Sequence, residues 1–237
     1  MRIAMWSGPR NLSTALMYAF AARGDCAVWD EPFYAAYLAA TGAAHPMRDA
    51  VIAAGITDPG HVGARCTGPV PDDKPLFYQK HMTLHMVPGF DRRFMHSLTN
   101  VFLIRHPARV VASYARKREA PTAEDLGYAR QAELFDEVAT RLGSAPPVID
   151  SADIVADPHA ALTRLCQTLG IAFSEKMLSW PAGPKPYDGV WATHWYGAVH
   201  RSTGFGPAEA ALPDLAADYA RLADQVLPYY ERLSNYR

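Results

Sequence analysis

Five short runs of consecutive apolar residues punctuate this chain: Ile3-Ala4-Met5-Trp6, Cys26-Ala27-Val28-Trp29, Leu76-Phe77-Tyr78, Val101-Phe102-Leu103-Ile104 and Val148-Ile149. None alternates cleanly with polar residues. A strand with one wet face would alternate, so these runs predict strands covered on both faces, the habit of a parallel sheet between helices. Helical spacing fills the intervals: 13–23 with Leu16, Met17 and Phe20; 107–118, opened by Pro107, with Val110, Val111 and Tyr114; and 123–142 with Leu126, Leu134, Phe135, Val138 and Leu142. Over 157–169, Asp157 is placed to cap, Pro158 to open, Leu162, Leu165, Cys166 and Leu169 to form the stripe, and Gly170 to stop the helix. A last helix is predicted over 213–232, bent or broken by Pro228. The alternation predicts a three-layer α/β/α fold with a mostly parallel five-stranded sheet joined by right-handed crossovers.

The 237 residues read as a single domain without internal repeats, with a C-terminal helical segment at about 207–237. The stretch from about 35 to 75 does not fit the alternation. Its second part, rich in Pro, Gly and Asp, reads as a long loop and is a candidate lid or acceptor-binding insertion. With 23 basic and 24 acidic residues the net charge is −1, so the chain is neither a basic nucleic-acid coat nor an acidic tail protein, and charge alone does not name its partner. Three cysteines, Cys26, Cys66 and Cys166, form neither an even set nor a Cys-x-x-Cys pair, and a reducing cytoplasm is their simplest home. No run approaches the roughly 18 apolar residues of a membrane span, and Ser7, Pro9, Arg10 and Asn11 interrupt any signal-peptide core. The expectation is a soluble cytoplasmic protein with neither nucleic-acid nor membrane partners; its oligomeric state has no sequence sign.

In an open α/β sheet, ligands bind beyond the carboxyl ends of the strands, so the residues following each run carry the chemistry. They are Ser7-Gly8-Pro9-Arg10-Asn11-Leu12-Ser13-Thr14, Asp30-Glu31-Pro32-Phe33-Tyr34, Gln79-Lys80-His81 and Arg105-His106-Pro107. The first joins strand to helix and sets one cation and two hydroxyls where backbone N–H groups can cradle an anion. It resembles the phosphate loop of P-loop NTPases. It is no Walker A sequence, because Ser13 falls where the second glycine belongs and no Gly-Lys-Ser/Thr follows. A kinase or ATPase would thus lack its phosphate-gripping lysine and its Mg²⁺ hydroxyl. Between Arg105 and Arg118 stand five basic residues (Arg105, Arg109, Arg116, Lys117, Arg118) and no acid. Arg109, Ser113 and Arg116 share one helix face, where cations oppose the macrodipole and a bound anion would be favoured by both.

An arginine ending a strand, then proline, then a serine eight residues on (Arg105, Pro107, Ser113) resembles the 3′-phosphate pattern of sulfotransferases that use 3′-phosphoadenosine 5′-phosphosulfate. Pro9-Arg10-Asn11-Leu12-Ser13-Thr14 looks like their 5′-phosphosulfate loop. Asp150 through Ile171 is similar to the strand, acidic turn and Leu-rich helix that follow in that family. The resemblance runs from residue 3 to about 206 and is loosest between 35 and 75. It implies a donor held by Arg10, Asn11, Leu12, Ser13, Thr14, Arg105 and Ser113, released as 3′-phosphoadenosine 5′-phosphate, with no metal. Three departures stand out. Leu12 replaces the family's usual glycine, a residue suited to a turn position of φ > 0, Arg10 replaces lysine, and His200-Arg201-Ser202-Thr203-Gly204-Phe205-Gly206 keeps only a remnant of the cofactor-closing loop. Arg201, Ser202 and Gly204 are its cofactor-contact candidates.

For catalysis the resemblance implies Arg10 on the sulfuryl group and Lys80 on the leaving group. Two candidates for the base stay open. Glu31, trailed by Phe33, Tyr34 and Tyr37, resembles the glutamate of carbohydrate sulfotransferases; His81 competes, though it is adjacent to Lys80 where cytosolic relatives place a histidine two residues on. The implied reaction moves a sulfuryl group to a hydroxyl or amine of a small-molecule or carbohydrate acceptor, with a catalytically inactive nucleotide-binding module as the alternative. A histidine phosphatase is disfavoured by Pro107 after Arg105-His106, and no His-Glu-x-x-His spacing offers a zinc site. The aromatics from Trp191 to Tyr196 read first as core packing and second as a stacking surface.

Overall fold

The computed structural model describes residues 1–116 and 121–237; Lys117 and Arg118 of the basic run lie outside the described residues. The five apolar runs are strands: β1 (Arg2–Ser7), β2 (Cys26–Asp30), β3 (Leu76–Met82), β4 (Thr99–Ile104) and β5 (Val148–Asp150). They form one all-parallel sheet in the order β2-β3-β1-β4-β5. Each face has its own apolar core, which is why the runs do not alternate. Ile3, Met5, Tyr78, Val101 and Leu103 pack against Leu16, Met17 and Phe20 of α1 (Ser13–Ala22) and against Leu162, Leu165 and Cys166 of a later helix. Ala4, Trp6, Phe102 and Ile104 face Val62, Phe94, Leu134, Phe135 and Val138 on the other side.

Between β2 and β3 the chain forms α2 (Tyr34–Thr41), α3 (Arg48–Ala54) and α4 (Pro59–Thr67). The long loop expected from 58 to 74 is therefore largely a helix. Asp58 caps it, its Oδ1 accepting the His61 N–H at 2.7 Å, Pro59 opens it, and Val62 and Cys66 bury one turn apart. Those capping signals were present in the sequence but masked by its Gly and Pro content. After β4 come α5 (Pro107–Tyr114), α6 (Ala123–Leu126) and α7 (Tyr128–Leu142); the single helix expected over 123–142 is broken at Gly127, whose φ is 73°. Asp150 caps α8 (Ser151–Ala156), so the expected acidic turn is helical, and Asp157 caps α9 (Pro158–Thr168). Two short turns, α10 (Ala192–Trp195) and α11 (Gly197–His200), precede α12 (Ala217–Ser234), which runs through Pro228 without a break. No described helix is long and apolar enough to cross a membrane.

The sheet order positions the site. The connection leaving β1 runs to β2 on one side of the sheet, and the connection leaving β4 runs to β5 on the other. Connections that depart in opposite directions from neighbouring strands open a crevice at their carboxyl ends. The loops after β1 and β4 border it.

Candidate active site

The β1–α1 turn has a tightly determined shape. Arg10 and Leu12 have φ of 60° and 69°, a left-handed backbone that costs a non-glycine residue roughly 1–2 kcal/mol. Three contacts hold it there. Asn11 Nδ2 donates to the Leu103 carbonyl at 3.2 Å, Arg105 Nη1 donates to the Arg10 carbonyl at 2.7 Å, and Gly8 lies so close to the Leu126 carbonyl that a Cβ would sit 2.5 Å from it. Leu12 does occupy the positive-φ position that its replacement of glycine suggested. Gln131 of α7 donates to the carbonyls of Trp6 and Leu103, tying the ends of β1 and β4 together.

Over this turn lies a cavity of about 300 Å³ bordered by the β1, β2, β3 and β4 strand ends and by the chain between 195 and 206. Arg10, Asn11, Leu12, Ser13, Thr14, Glu31, Lys80, Arg105, Ser113, Ser202 and Gly204 all line it. Arg10 Nε donates to Ser113 Oγ at 3.0 Å, which joins the two loops. Among the described residues no carboxylate pairs with Arg10. Burial, then the charges of Arg105 and Arg116, lower its pKa. Arg105 Nε is buried and lacks a hydrogen-bond partner.

At the β2–β3 end of the cavity sits a buried charged cluster. Asp30 and Lys80 are register partners on adjacent strands, so their side chains leave the sheet on the same face. Lys80 Nζ donates to Asp30 Oδ1 at 2.9 Å, to Glu31 Oε1 at 2.5 Å and to the Tyr196 hydroxyl at 2.8 Å. Tyr196 in turn donates to Asp30 Oδ2 at 2.7 Å and accepts from Trp191 Nε1 at 3.1 Å. Burial disfavours the ammonium, but Asp30 and Glu31 together outweigh it and hold the Lys80 pKa above its ordinary value. Burial raises the Glu31 pKa; Lys80 opposes this and Asp30 adds to it, and the net direction is up. Glu31 also carries a positive φ of 41°, as residues at functional sites often do.

His81 does not reach the cavity. One residue along β3 from Lys80, it projects from the opposite face, stacks on Trp6 with ring centroids 4.4 Å apart and bonds Gln79 Oε1 at 3.2 Å. Burial pushes its pKa down to about 3. The histidine that does approach Glu31 is His85, in the turn after β3, with Nε2 4.0 Å from Glu31 Oε2 and its ring stacked between Tyr34 and Tyr37. Burial first, then nearby charge, keeps His85 well below its ordinary pKa. Arg201 is exposed and does not line the cavity, whereas Gly204 is wedged 2.9 Å, at its would-be Cβ, from the Leu178 carbonyl. Of the 191–196 aromatics, Trp191 is buried and donates to the Tyr196 hydroxyl, while Trp195 and the buried Tyr196 both line the cavity.

Sequence reasoning missed Asp30, Tyr196, His85 and Glu209. Asp30 carried a signal, since it stands at a strand end, but of two adjacent acids only the second follows the strand and draws notice. Tyr196 had none beyond its aromatic neighbours. Glu209, which pairs with Arg105 and Arg109, lies in a stretch without a motif.

Fold and site together define a three-layer α/β domain with a cationic cleft at its strand ends and a buried carboxylate–lysine cluster beside it. The sulfotransferase domain family model matches residues 1–236, and the chain belongs to that family. Its fold is that of solved sulfotransferases. A sulfotransferase from Alicyclobacillus acidocaldarius is similar with a TM-score of 0.60 and 11% identity over 99% of this chain and 94% of that one. The sulfotransferase domain of the Synechococcus PCC 7002 olefin synthase gives 0.53 and 19% over 94% and 93%, and that of the curacin biosynthetic pathway 0.51 and 18% over 94% and 96%. Two Arabidopsis thaliana proteins, branched-chain-amino-acid aminotransferase-like proteins 1 and 2, are 36% and 34% identical over 99% and 98% of this chain. The chain spans about two-fifths of the length of those curated relatives, 42% and 41%.

Proposed function

We propose that this protein transfers a sulfuryl group from 3′-phosphoadenosine 5′-phosphosulfate to a hydroxyl or amine of a small-molecule or carbohydrate acceptor. The observation that carries this reading is Arg10: a half-buried guanidinium on a left-handed turn at a helix start, bonded to Ser113 and without a carboxylate partner among the described residues. The buried, unpartnered Arg105 Nε and Asn11 Oδ1 fit a polar ligand in the same crevice. The donor, when bound, supplies the sulfuryl group and a phosphate leaving group. Arg10, Ser13 and Thr14, with the backbone of the turn, would hold its 5′ end, and Arg105 and Ser113 its 3′-phosphate, which fixes register.

Glu31 is the base in this reading. A carboxylate of raised pKa binds a proton more firmly than a solvated one, so burial suits it to the task. Its bond to Lys80 adds a coupling. While Glu31 is anionic, two carboxylates share the ammonium; once Glu31 takes the acceptor's proton, Lys80 keeps only Asp30 as a full counter-charge. Its positive field then becomes available to negative charge developing in the cavity.

The test is transfer of labelled sulfate from the phosphosulfate nucleotide to a metabolite extract, comparing the natural chain with Glu31→Gln. Turnover by the natural chain and a loss of about 10²–10⁴-fold in the variant is the expected result. A variant that keeps its turnover removes Glu31 from the role. A chain that binds the nucleotide but transfers nothing to any acceptor is the inactive nucleotide-binding module instead.

A further inference from the structure

The Arg105-Pro107-Ser113 pattern names one cation for the 3′-phosphate; the structure places a second beside it and an anion on both. Arg105 Nη2 donates to Glu209 Oε1, and Arg109 Nε lies 2.8 Å from Glu209 Oε2. Arg109 also donates to the Ala210 carbonyl. Glu209 belongs to a stretch without helix or strand, 205–216. At one end of that stretch Gly206 lines the cavity, and at the other Leu215 packs with Val110, Tyr114 and Val226.

The pairing is incomplete. One carboxylate serves two guanidinium groups, and both Arg105 Nε and Glu209 Oε2 remain buried without a hydrogen bond. A phosphate monoester would bring close to twice the charge and three acceptor oxygens to the same donors. It would also give the unpaired Arg105 Nε an acceptor. Resting on the donor reading above, we propose that Arg105 and Arg109 form a two-arginine seat for the 3′-phosphate and that Glu209 is an internal competitor occupying it. Donor binding exchanges one anion for the other, and Glu209 thereby sets the affinity for nucleotides that carry a 3′-phosphate.

The exchange makes a prediction of unusual sign. Glu209→Gln removes the counter-charge of two arginines, so the nucleotide-free protein melts at lower temperature. The same change removes the competitor, so adenosine 3′,5′-bisphosphate binds about tenfold tighter, the scale of one lost charge-assisted hydrogen bond. Adenosine 5′-monophosphate, which has no group for the seat, gains nothing. Calorimetric titration of the natural chain and the variant with both nucleotides reads this directly. If Glu209→Gln does not fold, Glu209→Asp, which withdraws the carboxylate by one methylene, supports the same comparison.

Bisphosphate affinity that is unchanged or weaker in the variant, while the natural chain binds that nucleotide, overturns the proposal and leaves the donor reading standing. An equal gain for the monophosphate also overturns it, because a general field effect is then sufficient. Failure of both proteins to prefer bisphosphate over monophosphate overturns the donor reading itself, and the proposal with it.

Discussion

Lys80 carries the most consequential chemistry of any single residue here, because it is a cation buried to 1% exposure that only its neighbours make tolerable. Asp30 and Glu31 supply the counter-charge, and Tyr196 takes the remaining donor. Removing one partner of a buried pair strands the other charge, at a cost of about 3–5 kcal/mol. Lys80→Met should therefore lower the unfolding free energy by that amount in urea titrations, and adding Asp30→Asn should restore part of it. A Lys80→Met protein as stable as the natural chain would mean that the three groups are not held as a charged cluster. At this scale the sequence was partly legible. Arg10, Ser13, Arg105, Ser113, Glu31 and Lys80 stand at strand ends or one helical repeat beyond, and all line the cavity. Asp30 and Glu209 were not legible, because what distinguishes them is the cation each faces across 50 and 104 residues of chain.

Strand β3 shows how an element decides between residues that look equivalent in sequence. Lys80 and His81 are adjacent, and a strand sends adjacent side chains to opposite faces. The pleat therefore gives Lys80 to the cavity and His81 to the apolar layer with Trp6 and Phe94, where burial moves its pKa down to about 3. The sign of the consequence follows. Between about pH 6.5 and 3 the unfolded chain binds a proton at this histidine and the folded chain does not, so stability is present above pH 6.5 and falls as the pH falls. The slope is about 1.4 kcal/mol per pH unit for each such histidine. His85, shifted in the same direction, adds a second share. Urea titrations between pH 7 and 4.5 should show His81→Asn losing one share of that slope; an unchanged slope would mean that His81 takes up protons while folded. The strands and most helices were readable from apolar runs and caps. Helix α4 was not, since its Asp58-Pro59 start was outweighed by the surrounding glycine and proline, and the break at Gly127 depended on a left-handed φ that spacing alone does not reveal.

Across the whole molecule, the sheet order β2-β3-β1-β4-β5 converts four separate strand-end loops into one row. Neighbouring strands lie about 4.8 Å apart, so the row spans about 14 Å from the Glu31 end to the Arg105 end. The acidic base candidate and the lysine sit at the β2–β3 end, the two arginines at the β1–β4 crevice. Order within that row could not be read from chain position, because β3 inserts between β1 and β2. The arrangement separates the place where an acceptor would lose its proton from the place where a donor would be held, with Arg10 and Lys80 between. Everything functional in this account depends on the crevice being a seat for adenosine bearing phosphate on both sides of its ribose. Thermal unfolding with adenosine 3′,5′-bisphosphate, set against ATP with Mg²⁺, and repeated with Arg105→Ala, tests it most directly. The bisphosphate should raise the melting temperature, ATP with Mg²⁺ should not, and Arg105→Ala should abolish the rise. Stabilisation by ATP with Mg²⁺ in place of the bisphosphate, or a full bisphosphate shift in Arg105→Ala, would contradict it.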